Sequence, residues 1–180
     1  MSPIIISAPL DEAHIASVRA GDEVLFNGTL YVARDRAHER MSAMIARGEA
    51  LPFDARGQIL YYMGPSPAPP GMVIGGAGPT TSSRMDPFTD VMLAAGIKCL
   101  IGKGRRGPAV RESLVSRRAL YCASFGGAAA YLNRKIVSAE IIAFEDLGPE
   151  ALYRLQVKDF PAVVVNDICG GDLYESAIRA

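Results

Sequence analysis

The chain has 180 residues, 49% of them apolar, which is enough for one domain with a sizeable core. Its 19 Lys and Arg side chains balance its 19 Asp and Glu, so the basic excess of a nucleic-acid-binding domain is missing. No apolar run approaches the roughly 18 residues of a membrane span, and Met1-Ser2-Pro3-Ile4-Ile5-Ile6 lacks the basic region and long apolar core of a secretory signal.

In chain order, Ile4–Ile6 is predicted as a strand and Asp11–Arg19 as a short helix stopped by Gly21. Glu23–Phe26 and Thr29–Ala33 flank Asn27-Gly28, a dipeptide that favours a type I′ turn, so a β-hairpin is predicted there. Ala37, Met41, Met44 and Ile45 share one face of a helix over Arg34–Arg47, ended by Gly48. Ile59–Met63 reads as a strand, and the Pro-rich segment Gly64–Gly71 as a stiff connection. Met72-Val73-Ile74 is a short apolar run that reads as a strand leading into a Gly-rich turn. A helix follows, capped by Asp86, with Pro87 at its first position and Gly96 after its end. Strands are then predicted at Ile97–Ile101, Ala119–Ala123, Ile136–Phe144 and Phe160–Asn166. Helices are predicted from Pro108 to Arg117, Gly127 to Arg134 and Pro149 to Gln156. Strands alternating with helices imply a mostly parallel sheet here, and the first third is more hairpin-like, so the fold class is α/β with a mixed sheet.

The turn Gly75-Gly76-Ala77-Gly78-Pro79-Thr80-Thr81-Ser82-Ser83-Arg84 places flexible backbone, four hydroxyls and one cation at a helix start. Glycine permits close backbone approach, and a helix N-terminus offers free N–H groups, so the stretch suits a carboxylate or phosphate. It also fits an ordinary surface loop. Gly102-Lys103-Gly104-Arg105-Arg106-Gly107 matches G-x-G-x-x-G between a strand and a helix, but no acidic residue follows in Tyr121–Tyr131, where a dinucleotide site would need one. Lys103 instead offers a cation to an anionic substrate. Arg34-Asp35-Arg36-Ala37-His38 opens a helix after a strand. It reads either as a carboxylate-binding Arg fork anchored by Asp35, with His38 a turn away, or as a solvated first turn. Cys99, Cys122 and Cys169 form no CxxC, and two lie in apolar strand patterns. No metal ligand is assigned to this chain, which reads as reduced and cytoplasmic.

Gly78-Pro79-Thr80-Thr81-Ser82-Ser83-Arg84-Met85-Asp86-Pro87, followed by Gly102-Lys103-Gly104, resembles the β subunit, or C-terminal domain, of class I fumarate hydratases and the related L(+)-tartrate dehydratases. The likeness covers nearly the whole chain, through Gly21-Asp22 to Gly28, Arg34–His38, Gly126–Ala130, Asp146–Ala151 and Asp159–Val163. Ser83 departs from the Gly expected in many relatives. The resemblance implies a swivelling β/β/α domain with a mixed sheet flanked by helices. It implies a hydro-lyase whose oxygen-sensitive [4Fe-4S] cluster is ligated by an α subunit and acts as a Lewis acid. An obligate α partner follows, in a dimer of αβ pairs. Carried over residue by residue, Arg34, Arg84 and Lys103 would clamp a dicarboxylate and Thr80 would transfer a proton. Asp35, His38 and Thr81 would support them. The expected reaction is reversible hydration of fumarate to L-malate, a tricarboxylic acid cycle step. The alternatives are an L(+)-tartrate dehydratase β subunit or a non-catalytic anion- or nucleotide-binding domain.

Overall fold

The computed structural model describes residues 2–179. Strand β1 (Ile4–Ser7) leads to α1 (Glu12–Ser17), whose first turn is held by Asp11 Oδ1 accepting the His14 N–H at 2.8 Å. Strand β2 (Glu23–Val32) lies parallel to β1 along its first half. Helix α2 (Asp35–Ala46) buries Ala37, His38 and Met41, and Gly48 at φ 71° closes it with Glu49 N–H donating to the Met44 carbonyl.

After β3 (Ile59–Tyr61) a long loop leads through a 3-10 turn (Ser82–Met85) into α3 (Asp86–Ala94). Strand β4 (Cys99–Gly102), helix α4 (Pro108–Ser116) and strand β5 (Leu120–Ala123) follow. Strands β2, β3, β4 and β5 lie side by side and parallel. The chain ends with α5 (Ala129–Asn133), β6 (Ile136–Ala143), a second 3-10 segment (Glu145–Glu150), β7 (Leu152–Asn166) and α6 (Leu173–Arg179).

The fifteen-residue β7 organises the fold. It runs antiparallel to β5 on one side and to β2 on the other, closing β2-β3-β4-β5-β7 into a ring, while β6 pairs with it outside. Period-two alternation then sorts the side chains. Phe26, Leu30, Ile59, Tyr61, Cys99, Ile101, Cys122, Phe160 and Val164 belong to one buried core inside the ring. Tyr31, Leu60, Tyr62, Leu100 and Tyr121 belong to a second, under α2, α3 and α4.

Three sequence expectations are corrected. Asn27-Gly28 makes no hairpin. Gly28, at φ 89°, forms a bulge in one continuous β2, and Asn27 Oδ1 accepts the Asp159 N–H at 2.9 Å. Pro149–Gln156 is not a helix: the 3-10 segment ends at Glu150, and buried Leu155 and Val157 alternate with exposed Gln156 and Lys158 in β7. Met72–Ile74 is bent loop rather than strand. The parallel pairing therefore starts in the first third, at β1 and β2, and the antiparallel strands come last.

Candidate active site

The loops at the carboxyl ends of β2, β3 and β4 carry the sequence-predicted groups, and backbone bonds weld two of these loops together. Thr80 N–H donates to the Tyr62 carbonyl just past β3, at 2.7 Å. Lys103 N–H donates to the Thr80 carbonyl (3.2 Å) and Ser82 N–H to the Lys103 carbonyl (2.9 Å), so Thr81 and Lys103 pair like strand residues. The Ser82 N–H, which a helix-start anion site would need, is thus already used. Thr80 is half-buried, while Thr81, Arg84 and Lys103 are exposed. Lys103 makes no ion pair among the described residues. Its stem passes close to Gly126 in the loop after β5.

Glycines here serve packing inside the protein. A Cβ on Gly102 would overlap Ser82 Oγ, and one on Gly75 would overlap the Ser66 carbonyl. Neither glycine has positive φ, so close approach and not unusual dihedrals demands them. The loop ahead of Thr80 is held from below. The Tyr61 hydroxyl donates to the Ala77 carbonyl, and Asn133 Nδ2 donates to the carbonyls of Ile74 and Gly75.

Asp35 joins the third loop. Its carboxylate takes a two-pronged bond from Arg84, Nε to Oδ1 at 2.9 Å and Nη2 to Oδ2 at 2.8 Å, and lies 3.6 Å from Arg34 Nε. Arg34 also donates from Nη2 to Glu150 Oε1 at 3.3 Å, and its guanidinium lies against Gly64. Asp35 therefore orients both arginines rather than capping α2. Two-pronged carboxylate pairing is geometrically strict and leaves three of the five Arg84 N–H donors free.

His38 sits fully buried below, with Nδ1 3.0 Å from the Arg34 carbonyl oxygen and its ring packed edge-on to Tyr62. A carbonyl only accepts, so Nδ1 carries the proton. Burial, aided by the Arg106 cation, pulls the imidazole pKa down to about 4, and His38 is neutral near pH 7. Its Nε2 has no hydrogen-bond partner among the described residues.

Two contributors escape the sequence reading. Glu150 follows a predicted helix start, yet its carboxylate reaches back to Arg34 and to the Arg36 N–H. Arg106 is indistinguishable in sequence from its neighbour Arg105, yet its side chain is wholly buried against Asp86. Asp86 in turn accepts from Arg106 Nε and the Gly107 N–H instead of capping α3.

A cavity of about 260 Å³ between Pro65, Pro67, Ile74, Ala139, Ile141 and Tyr153 is lined by none of the predicted groups. The thiols do not gather either. Cys99 and Cys122 lie 3.8 Å apart inside the ring and Cys169 is in an exposed turn. Among the described residues no three His, Cys, Asp or Glu side chains are grouped to hold a metal ion. No helix is long and apolar enough to cross a membrane.

A closed α/β sheet with hydroxyls and cations clustered on the loops after its parallel strands is the class of domain the structure shows. The particular kind is set by comparison: residues 2–177 match the model of the fumarase C-terminus, and the chain belongs to that family. It is 36% identical over 177 residues to fumarate hydratase 2 of Leishmania major, covering 96% of this chain and 31% of that protein. It is 33% identical over 174 residues to the aerobic class I fumarate hydratase of Escherichia coli K12, covering 94% and 32%. A Methanocaldococcus jannaschii protein provisionally named L(+)-tartrate dehydratase subunit beta is 33% identical over 172 residues, covering 92% and 88%. The chain thus spans about a third of the fumarate hydratases and most of the separate subunit.

Proposed function

We propose that this chain is the β subunit of an iron–sulfur hydro-lyase, a fumarate hydratase that interconverts fumarate and L-malate. One observation carries the reading. Thr80, Thr81, Arg84 and Lys103 are bonded through one another's loops on an open face, and the matched relatives are named hydratases and dehydratases. Such a face supplies half a site. The residues of this chain do not fit a [4Fe-4S] cluster, because its thiols are split between the ring interior and a distant turn. The cluster is therefore assigned to an α partner, and no step below runs through it. In a swivelling domain of this kind the open face would close on that partner, in a dimer of αβ pairs within a reducing cytoplasm.

This chain's own residues bind, orient and move a proton. Lys103 and the free N–H groups of Arg84 meet the substrate carboxylate nearest the carbon that loses its proton. Arg34, aimed by Asp35 and Glu150, completes the clamp. When the proton leaves that carbon, negative charge spreads into the adjacent carboxylate, where fixed cations stabilise the transition state more than the ground state. The Thr80 hydroxyl would accept that proton in dehydration and return it in hydration. A threonine hydroxyl is a weak base alone, so the cationic surroundings or a partner carboxylate must assist it.

Co-expression with the cluster-bearing partner without oxygen tests this. Arg84→Ala and Lys103→Ala should each lower kcat/KM for fumarate roughly 10- to 100-fold, the range for losing a charged hydrogen bond, with cluster absorbance unchanged. Thr80→Ala should act mainly on kcat. Full turnover in both cation variants would defeat the reading. Tight NAD or ATP binding to the isolated chain would favour a nucleotide-binding domain instead. The near-full-length match to the archaeal subunit supports one further substrate, L(+)-tartrate, and the same preparation assayed with both diacids separates the two.

A further inference from the structure

Arg106 has no part in the chemistry above, yet it touches residues that border or hold the loops of Thr80, Arg84 and Lys103. Its side chain is wholly buried, in a loop where Lys103 and Arg105 are exposed. Nε donates to Asp86 Oδ1 at 2.8 Å, the other Asp86 oxygen takes the Gly107 N–H at 2.9 Å, and Nη2 donates to Thr89 Oγ1 at 2.6 Å. These bonds staple the Lys103 loop to the start of α3, immediately beyond Arg84. The guanidinium also lies 5.5 Å from the ring centre of Tyr62 and 5.0 Å from that of Tyr121. The Tyr62 carbonyl holds Thr80, and the Tyr121 hydroxyl donates to the Gly104 carbonyl at 2.7 Å, beside Lys103.

A buried ion pair adds little stability over apolar side chains of equal volume. Its distinctive product is fixed geometry, since the guanidinium offers rigid, divergent donors that lysine cannot copy. Burial works against the Arg106 charge, and Tyr62 and Asp86 outweigh it, so the cation stays charged.

We infer that Arg106 is a positioning residue that locks the Thr80, Arg84 and Lys103 loops against one another so that all three can meet one dicarboxylate. The inference rests on the functional reading above. It excludes contact between Arg106 and substrate.

Arg106→Lys in the assembled complex is the test. It should lower kcat/KM for fumarate about 10- to 100-fold, while the melting temperature of the isolated chain and the cluster absorbance stay close to wild type. In a Lys103→Ala background the same substitution should cost at most about a third of that factor, because residues acting as one unit are not additive. Equal factors in both backgrounds, or no loss at all, would overturn the positioning role. Should Arg106→Lys fail to fold, Thr89→Val removes one acceptor at similar volume and runs the same cycle. If Arg84→Ala and Lys103→Ala themselves leave turnover intact, the functional reading falls and this inference with it. If they lower it as expected and only the cycle fails, Arg106 alone is reassigned.

Discussion

The carboxyl ends of β2 to β4 and the outer arm formed by β6 and the first half of β7 are built on opposite plans. In the first, the strand ends are buried on both faces, as Cys99–Gly102 is, and the loops after them bring polar groups from distant sequence into contact. In the second, β6 is an edge strand whose Val137 is 62% and Ile141 41% exposed. Loops standing on a rigid double-sided core can hold charges to hydrogen-bond precision, as the Arg84–Asp35 pair shows. The half-solvated arm holds an exposed pair of its own, Arg154 to Glu140, but it carries none of the predicted substrate groups. If that contrast is real, equal perturbations should cost much in the ring and little in the arm.

The largest effect is expected in the ring. Phe160 is fully buried and meets the Tyr61 ring edge-on with centroids 5.1 Å apart. Phe160→Ala should destabilise the chain by about 3–5 kcal/mol, measured by urea unfolding. A loss below about 1 kcal/mol would mean that the core inside the ring is loosely packed.

Next comes acid sensitivity. The folded-state pKa of His38, about 4, lies below the unfolded value near 6.5. The native state thus binds fewer protons than the unfolded chain between those limits. The stability from keeping His38 neutral is fully present above about pH 6.5 and is lost as pH falls toward 4, by roughly 3 kcal/mol at the lower limit. His38→Asn should flatten that limb of the stability curve. An unchanged limb would place its origin elsewhere.

Gly102→Ala should cost about 1–3 kcal/mol, because the new methyl group overlaps Ser82 Oγ and crowds the Tyr62 ring at 2.9 Å. Its sharper use is functional. The displaced Ser82 is bonded to the Lys103 carbonyl, so substrate affinity in the assembled enzyme should fall with stability. Affinity that holds while stability drops would separate the loop's packing from its chemistry.

How far the sequence was legible follows the same division. Pro87, Pro108, Gly48 and Gly96 marked helix ends in the parallel half, because their dihedral and hydrogen-bond limits act locally. Asn27-Gly28 sent the same local signal as a hairpin turn, but β7 paired along the full length of β2 and turned it into a bulge. Pro149 resembled a helix start for the same reason, and the closure of the ring overrode it. In the candidate site, the residues of Gly-Pro-Thr-Thr and Gly-Lys-Gly stood out in sequence because hydroxyls and cations on loops are legible from residue type alone, and Thr81 and Lys103 are exposed there. Arg106 and Glu150 did not, since whether a charge is buried depends on which distant carboxylate or arginine comes to meet it.

The smallest effect belongs to the arm. Val137 projects from an unpaired strand edge into solvent, and truncating it removes little buried surface. Val137→Ala should change stability by no more than about 0.5 kcal/mol, as surface substitutions do. The informative comparison is between the isolated chain and the assembled complex. If the arm is simply exterior, the effect stays small in both. A loss of 1–2 kcal/mol in association, with the isolated chain unaffected, would show that β6 is covered on assembly. Its apolar exposure would then belong to an interface, and the arm would have a role the ring does not share.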